Sequence, residues 1–156
     1  MTEPTLRHVQ CLDGRGLHRL AYWQWERANG ASDRVLICAH GVSRQGRDFD
    51  TLAQAMQDGW RVVCPDFVGR GESDRLADPA AYVLPTYVAD MVTLLARLDA
   101  KIVHWFGTSM GGLIGIAMAA RGPKARVHEF AGVGHAPTIV AADQVAVVRE
   151  FLQEGA

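Results

Sequence analysis

The sequence predicts a three-layer α/β fold: a mostly parallel sheet, helices on both faces, and an antiparallel hairpin at the N-terminal end. Three observations carry that expectation. Short, nearly continuous apolar runs ("RVLICAHG", "RVVCPDF", "KIVHWFG") read as strands buried on both faces. Between them lie segments whose apolar residues recur at helical spacing, so strand and helix alternate as parallel sheets with right-handed crossovers require. Ahead of them, two strand-like runs flank the turn sequence "DGRG".

Taken in order, "LRHVQCL" and "LHRLAYWQW" are the arms of the hairpin, and "RVLICAHG" is the first buried strand. In "GRDFDTLAQAMQDG", Phe49, Leu52, Ala53 and Met56 share one helical face, and Gly59 closes the segment. "RVVCPDFVGRG" is the next buried strand with its loop. Pro85 opens a helix whose stripe is Val88, Met91, Val92, Leu95 and Leu98. "KIVHWFG" is a third buried strand, and "MGGLIGIAMAA" is a helix of small residues suited to close packing on the sheet. "ARVHEFAG" is the last strand, and "ADQVAVVREFL" closes the chain as an amphipathic helix with Val145, Val148 and Leu152 inward. No repeat, low-complexity tract or linker interrupts this pattern, so residues 1–156 read as a single domain.

Composition narrows the function classes. A chain of 156 residues with 49% hydrophobic and 21% charged residues can bury one core. A formal net charge of -1 gives no electrostatic footprint for nucleic acid or an anionic membrane, so neither is expected as a partner. Cys11, Cys38 and Cys64 are isolated, and Cys38 and Cys64 sit in apolar runs as small buried hydrophobes. The six His are scattered, and none pairs with a Cys at metal spacing; no metal or cofactor is expected. The N-terminus lacks an apolar signal core, and no apolar run is long enough to span a membrane. A reduced, cytoplasmic protein is the expectation.

The chemistry concentrates in "GTSMG", residues 107–111, which matches G-x-S-x-G directly after a buried strand and at the start of a helix. Such a turn holds its serine in strained backbone geometry at the end of the sheet. A side chain two residues to either side would collide, which is why both places are glycine. The helix N-terminus aims free N–H groups at the place where an oxyanion forms. His40-Gly41-Val42 ends "RVLICAHG" and lets the next backbone N–H bend over the serine, so the Val42 and Met110 amides are the expected oxyanion donors. The His40 side chain reads as a brace for that loop. In "PDFVGRGESD", Gly69 and Gly71 make a tight loop in which Asp66 accepts backbone N–H bonds, a structural role.

Together "HGVSRQGRDFD", "CPDFVGRGESD", "GTSMGG" and "GVGHAP" resemble the α/β-hydrolase fold family, most closely its bacterial esterase and carbon–carbon hydrolase branch. Residues 1–121 are similar to the family's first half and residues 125–156 to its last strand and helix. The resemblance implies a Ser109 nucleophile and a His135 general base. The family's chain order is Ser, then Asp or Glu, then His. Here one helix and one strand separate Ser109 from His135, so the lid, two strands and the acid loop are missing and "RGPKAR" reads as the scar of a deletion, engineered or natural. A minimal, lidless α/β-hydrolase core is expected.

Asp143 and Glu129 stand as weak surrogate acids; Asp143 also reads as a cap for the final helix and Glu129 as a strand residue. Loss of a triad acid costs roughly 10⁴-fold in turnover, while the oxyanion hole alone retains about 10³–10⁴ over water. Weak hydrolysis of small activated carboxylic esters is therefore the expected activity, with a non-catalytic, stripped-down scaffold as the alternative. Arg44, Arg47 and Arg70 read as solvated loop charges, or alternatively as attractors of a substrate carboxylate, and Trp105 and Phe106 read as core. An unpaired last strand carrying Val127 and Phe130 would favour a homodimer, across the sheet edge or by C-terminal exchange.

Overall fold

The computed structural model describes residues 3–26, 33–100, 102–120 and 139–154. It begins with the hairpin of β1 (Thr5–Asp13) and β2 (Gly16–Trp25). Asp13 sets the turn: its carboxylate accepts the N–H groups of Arg15 (2.8 Å) and Gly16 (2.9 Å), and Gly16 takes a φ of 144° that a side chain would resist. β3 (Arg34–Ala39) follows, then a 3₁₀ turn (Gly46–Phe49) leading into α1 (Asp50–Met56), and β4 (Arg61–Pro65). α2 (Leu84–Leu98), β5 (Ile102–Gly107), α3 (Met110–Ala119) and α4 (Ala142–Glu154) complete the described elements.

The strands form one mixed five-stranded sheet in the order β1-β2-β4-β3-β5. β1, β2 and β4 pair antiparallel, whereas β3 lies parallel to both β4 and β5. Alternation along each strand divides the core in two. On one face Leu20, Tyr22, Val35, Ile37 and Val63 pack against Met91 and Leu94 of α2 and Ile114 of α3. On the other, Leu36, Cys38, Val62 and Cys64 pack against Leu52 and Met56 of α1 and Val148 and Leu152 of α4. This is the three-layer arrangement expected from the sequence. In the order of described elements α3 is followed by α4. Among the described residues no helix is long and apolar enough to cross a membrane.

The predicted faces of α1 and α4 hold: Phe49, Leu52, Ala53 and Met56 are buried, as are Val148 and Leu152. α2 differs. Its buried face runs through Tyr87, Val88, Asp90, Met91, Leu94 and Leu98, while Val92 is 53% exposed. The face is turned because Asp90 is held inside by a partner on the hairpin, His18. β5 also departs from the buried strand expected. Among the described strands it has a neighbour on one side only, and Ile102 and Val103 are exposed. The expected last strand, residues 125–132 with Val127 and Phe130, lies outside the described residues.

The rotated face of α2 has a direct consequence. Met91→Ala is expected to cost about 2–5 kcal/mol in urea unfolding, the usual range for emptying a core methionine site. Val92→Ser should stay within about 0.5 kcal/mol, as exposed positions do.

Candidate active site

The parallel register of β3 and β5 brings Ala39 level with Gly107, so both strands end at the same rim. There β5 turns into α3 through Thr108 and Ser109. The Thr108 N–H donates to the Ala39 carbonyl (3.0 Å), and the Gly111 N–H donates to the Thr108 carbonyl (2.9 Å). Ser109 is left with φ 51° and ψ -118°, a conformation a serine adopts only when its surroundings impose it.

Sterics enforce the turn from both sides. A Cβ on Gly107 would lie 2.6 Å from the Gly111 carbonyl oxygen, and one on Gly111 would sit on the carbonyl of Ala39. Trp105 locks the start of α3: its indole N–H donates to the Gly111 carbonyl (2.9 Å), and its ring lies against Gly115, where a Cβ would come within 2.5 Å. Trp105 therefore has a positioning role beyond the core role its apolar context suggests.

The loop after β3 packs directly on the serine. A Cβ on Gly41 would meet the Ser109 Cβ at 3.4 Å. Gly41 to Arg44 form a turn closed by the Arg44 N–H on the Gly41 carbonyl (3.2 Å), so Val42 occupies the position whose own N–H the turn leaves unused. Met110 is the first residue of α3, where helix geometry supplies no intrahelical acceptor for its N–H. The structure thus brings Ser109, Met110 and the Val42 loop together.

Three polar side chains hold these loops. His40 is fully buried; its Nδ1–H donates to the Gly41 carbonyl (2.6 Å), and its Nε2 accepts the Phe67 N–H (3.0 Å), which fixes a neutral imidazole. Burial pushes its pKa below the ordinary 6.5, the charge of Arg70 adds to that, and the Gly41 carbonyl and the Asp66 and Asp48 charges oppose it. Asp66 is buried and accepts the N–H groups of Gly46 (2.6 Å) and Glu72 (3.0 Å) and the Trp23 indole N–H (3.3 Å); a methyl on Gly71 would overlap its carboxylate. Arg70 ties the two loops, donating to the Val42 carbonyl (2.9 Å), the Val68 carbonyl (3.0 Å) and the Tyr87 hydroxyl (2.7 Å). Nothing in its sequence context marks Arg70 for this, since its acceptors lie on three separate segments.

The neighbouring arginines are engaged locally. Arg47 makes a bidentate pair with Asp50, with contacts down to 2.6 Å, and lies over the Trp23 ring; Arg44 reaches Asp48 at 3.5 Å. Asp143 is exposed in the first turn of α4, one residue inside the helix, where it complements the helix dipole instead of capping it. His135 and Glu129 lie outside the described residues.

The sequence profile of the alpha/beta hydrolase fold matches residues 34–153, from β3 into α4. The chain belongs to the α/β hydrolase fold family. It is 56% identical over 127 residues to a 3-hydroxybutyrate-oligomer hydrolase of Cupriavidus necator, covering 81% of this chain and 42% of that protein. It is 34% identical over 91 residues to a serine hydrolase-like protein of Danio rerio, covering 58% of this chain and 28% of that one. Among solved structures, an alpha/beta hydrolase from Novosphingobium aromaticivorans superposes with a TM-score of 0.67 at 34% identity, over 78% of this chain and 41% of its own. The chain spans less than half the length of each.

Two outcomes test the site's architecture. Gly111→Ala forces backbone against backbone, and is expected to destabilise the fold by more than about 3 kcal/mol in urea unfolding. The neutral His40 belongs to the folded state, so its contribution is complete above pH 6.5 and is lost as the pH falls through the lowered folded value. The urea midpoint should therefore drop from about pH 7 to about pH 5, with the His40 ring resonances titrating below the ordinary histidine value by NMR.

Proposed function

We propose that this chain carries the nucleophile and oxyanion-binding half of a serine ester hydrolase, with short oligoesters of hydroxy acids as its substrate class. The single observation that carries the reading is the forced conformation of Ser109 at the start of α3, with Gly41 so close that a Cβ on it would meet the Ser109 Cβ at 3.4 Å. That arrangement suits acyl transfer. The Ser109 hydroxyl oxygen attacks the acyl carbon, and the charge that develops on the carbonyl oxygen is met by the Val42 and Met110 N–H groups. His135 takes the serine proton and returns it to the departing alkoxide, and water then cleaves the acyl-serine by the reverse sequence.

The substrate class comes from the relative in Cupriavidus necator, which is named for hydrolysis of 3-hydroxybutyrate oligomers and is 56% identical over most of this chain. Each link of such an oligomer is a carboxylic ester whose leaving group is the hydroxyl of the next unit, so the same serine chemistry repeats at every bond. The Arg47 and Arg70 pairings support recognition of the ester itself over capture of a terminal carboxylate by those two groups.

The test is hydrolysis of 3-hydroxybutyrate dimer and of a nitrophenyl ester by the purified chain and two variants. Ser109→Ala should lower kcat by at least about 10³-fold. Val42→Pro deletes one N–H at a turn position that tolerates proline, and should lower kcat by about 10²–10³-fold with an unchanged melting temperature. Equal rates for all three proteins would leave the non-catalytic scaffold as the reading.

A further inference from the structure

At the far end of the strand order from β5, three side chains with metal-binding chemistry meet inside the protein. Cys11 of β1 and His18 of β2 are direct cross-strand partners in the hairpin register. Both point to the face that α2 covers, and Asp90 of α2 reaches down between them. All three are buried, at 2%, 6% and 1% exposure. The His18 Nε2 lies 3.0 and 3.1 Å from the two Asp90 carboxylate oxygens, and the Cys11 sulfur, the imidazole nitrogen and a carboxylate oxygen all fall within 4.8 Å of one another.

Asp90 is paired with His18 through both carboxylate oxygens. The Cys11 Sγ contacts the Asp90 backbone carbonyl at 4.0 Å, and the His18 Nδ1 is buried with no partner among the described residues. A carboxylate so deeply buried is expensive unless it is paired or bound to a cation.

We propose that Cys11, His18 and Asp90 form a structural site for a zinc ion, linking the N-terminal hairpin to α2. The donor set of one thiolate, one imidazole and one carboxylate is that of zinc, not of the oxygen-seeking calcium or magnesium. The spacing suits it. Two ligands at about 2.0–2.2 Å on a tetrahedral ion stand about 3.3 Å apart, close to the His18–Asp90 separation already present. Cys11 needs to move inward by about 1 Å, and the second Asp90 oxygen or a water completes the shell. On binding, the thiol releases its proton to solvent, the His18 proton resides on Nδ1, and the two negative ligands neutralise the ion. The site is invisible to sequence spacing because its ligands are joined by hairpin register and by a helix about seventy residues later, not by a short motif.

Cobalt(II) titrated into the reduced, metal-free chain should give a thiolate-to-cobalt charge-transfer band and the visible bands of four-coordination, both erased by zinc. Zinc should raise the melting temperature, and Cys11→Ala should lose the band and bind zinc at least about 100-fold more weakly in competition with a chelating dye. Ser109→Ala should bind as the parent does. X-ray absorption on the zinc-loaded parent should show a single sulfur scatterer, a result that stands even if Cys11→Ala does not fold. No band and no thermal shift in the parent, a band undiminished in Cys11→Ala, or two sulfur scatterers (which would point to Cys38 and Cys64) would each overturn the proposal.

Discussion

The approach of the Gly111 backbone to the Ala39 carbonyl is the constraint on which the rest of the site depends. It sets α3 against the end of β3, one strand removed from the β5 that feeds it. The chain between Gly107 and Gly111 must then reverse in a few residues. Ser109 takes a positive φ because the Thr108 hydrogen bonds on either side leave it no relaxed alternative. The strain is local, but what holds it is not. The parallel register of β3 and β5, the two-sided burial of β3 and the indole clamp of Trp105 all contribute to fixing those few atoms.

A second layer of polar groups aligns the loops that face the serine. His40, Asp66 and Arg70 each join two or more backbone segments, and none is spent on a simple surface ion pair. Removing any one leaves buried donors or acceptors unmatched, at about 1–3 kcal/mol apiece. The Val42 carbonyl held by Arg70 ties this layer to the proposed oxyanion site, because fixing a carbonyl also fixes the peptide planes of the turn around it. Stability and site geometry thus draw on the same bonds.

Much of this was legible in the residues. Gly107 and Gly111 flank Ser109 at the spacing that backbone crowding demands, and the alternation of apolar runs with helical stripes gave the layers. The period-2 and period-3.6 patterns also placed Phe49, Leu52 and Met56 correctly, since each segment has one polar and one apolar side. What escaped depends on contacts between distant segments. The face of α2 is turned by Asp90, whose partners lie on the hairpin, and Arg70 finds acceptors on three separate stretches. β5 reads as buried from its composition, yet its exposure is set by what lies beside it in the sheet. His135 and Glu129, inferred from the family's pattern, fall among residues the structure does not describe.

Under the proposed function the forced turn makes Ser109 an activated nucleophile. A fluorophosphonate ester, which is captured only by a serine whose proton is being removed and whose oxyanion is being stabilised, tests it most directly. Peptide mapping of the treated protein should find the phosphonyl adduct on Ser109 and leave Ser43 and Ser73 unmodified. Intact protein with no adduct, or adducts spread over the other serines, would contradict the account.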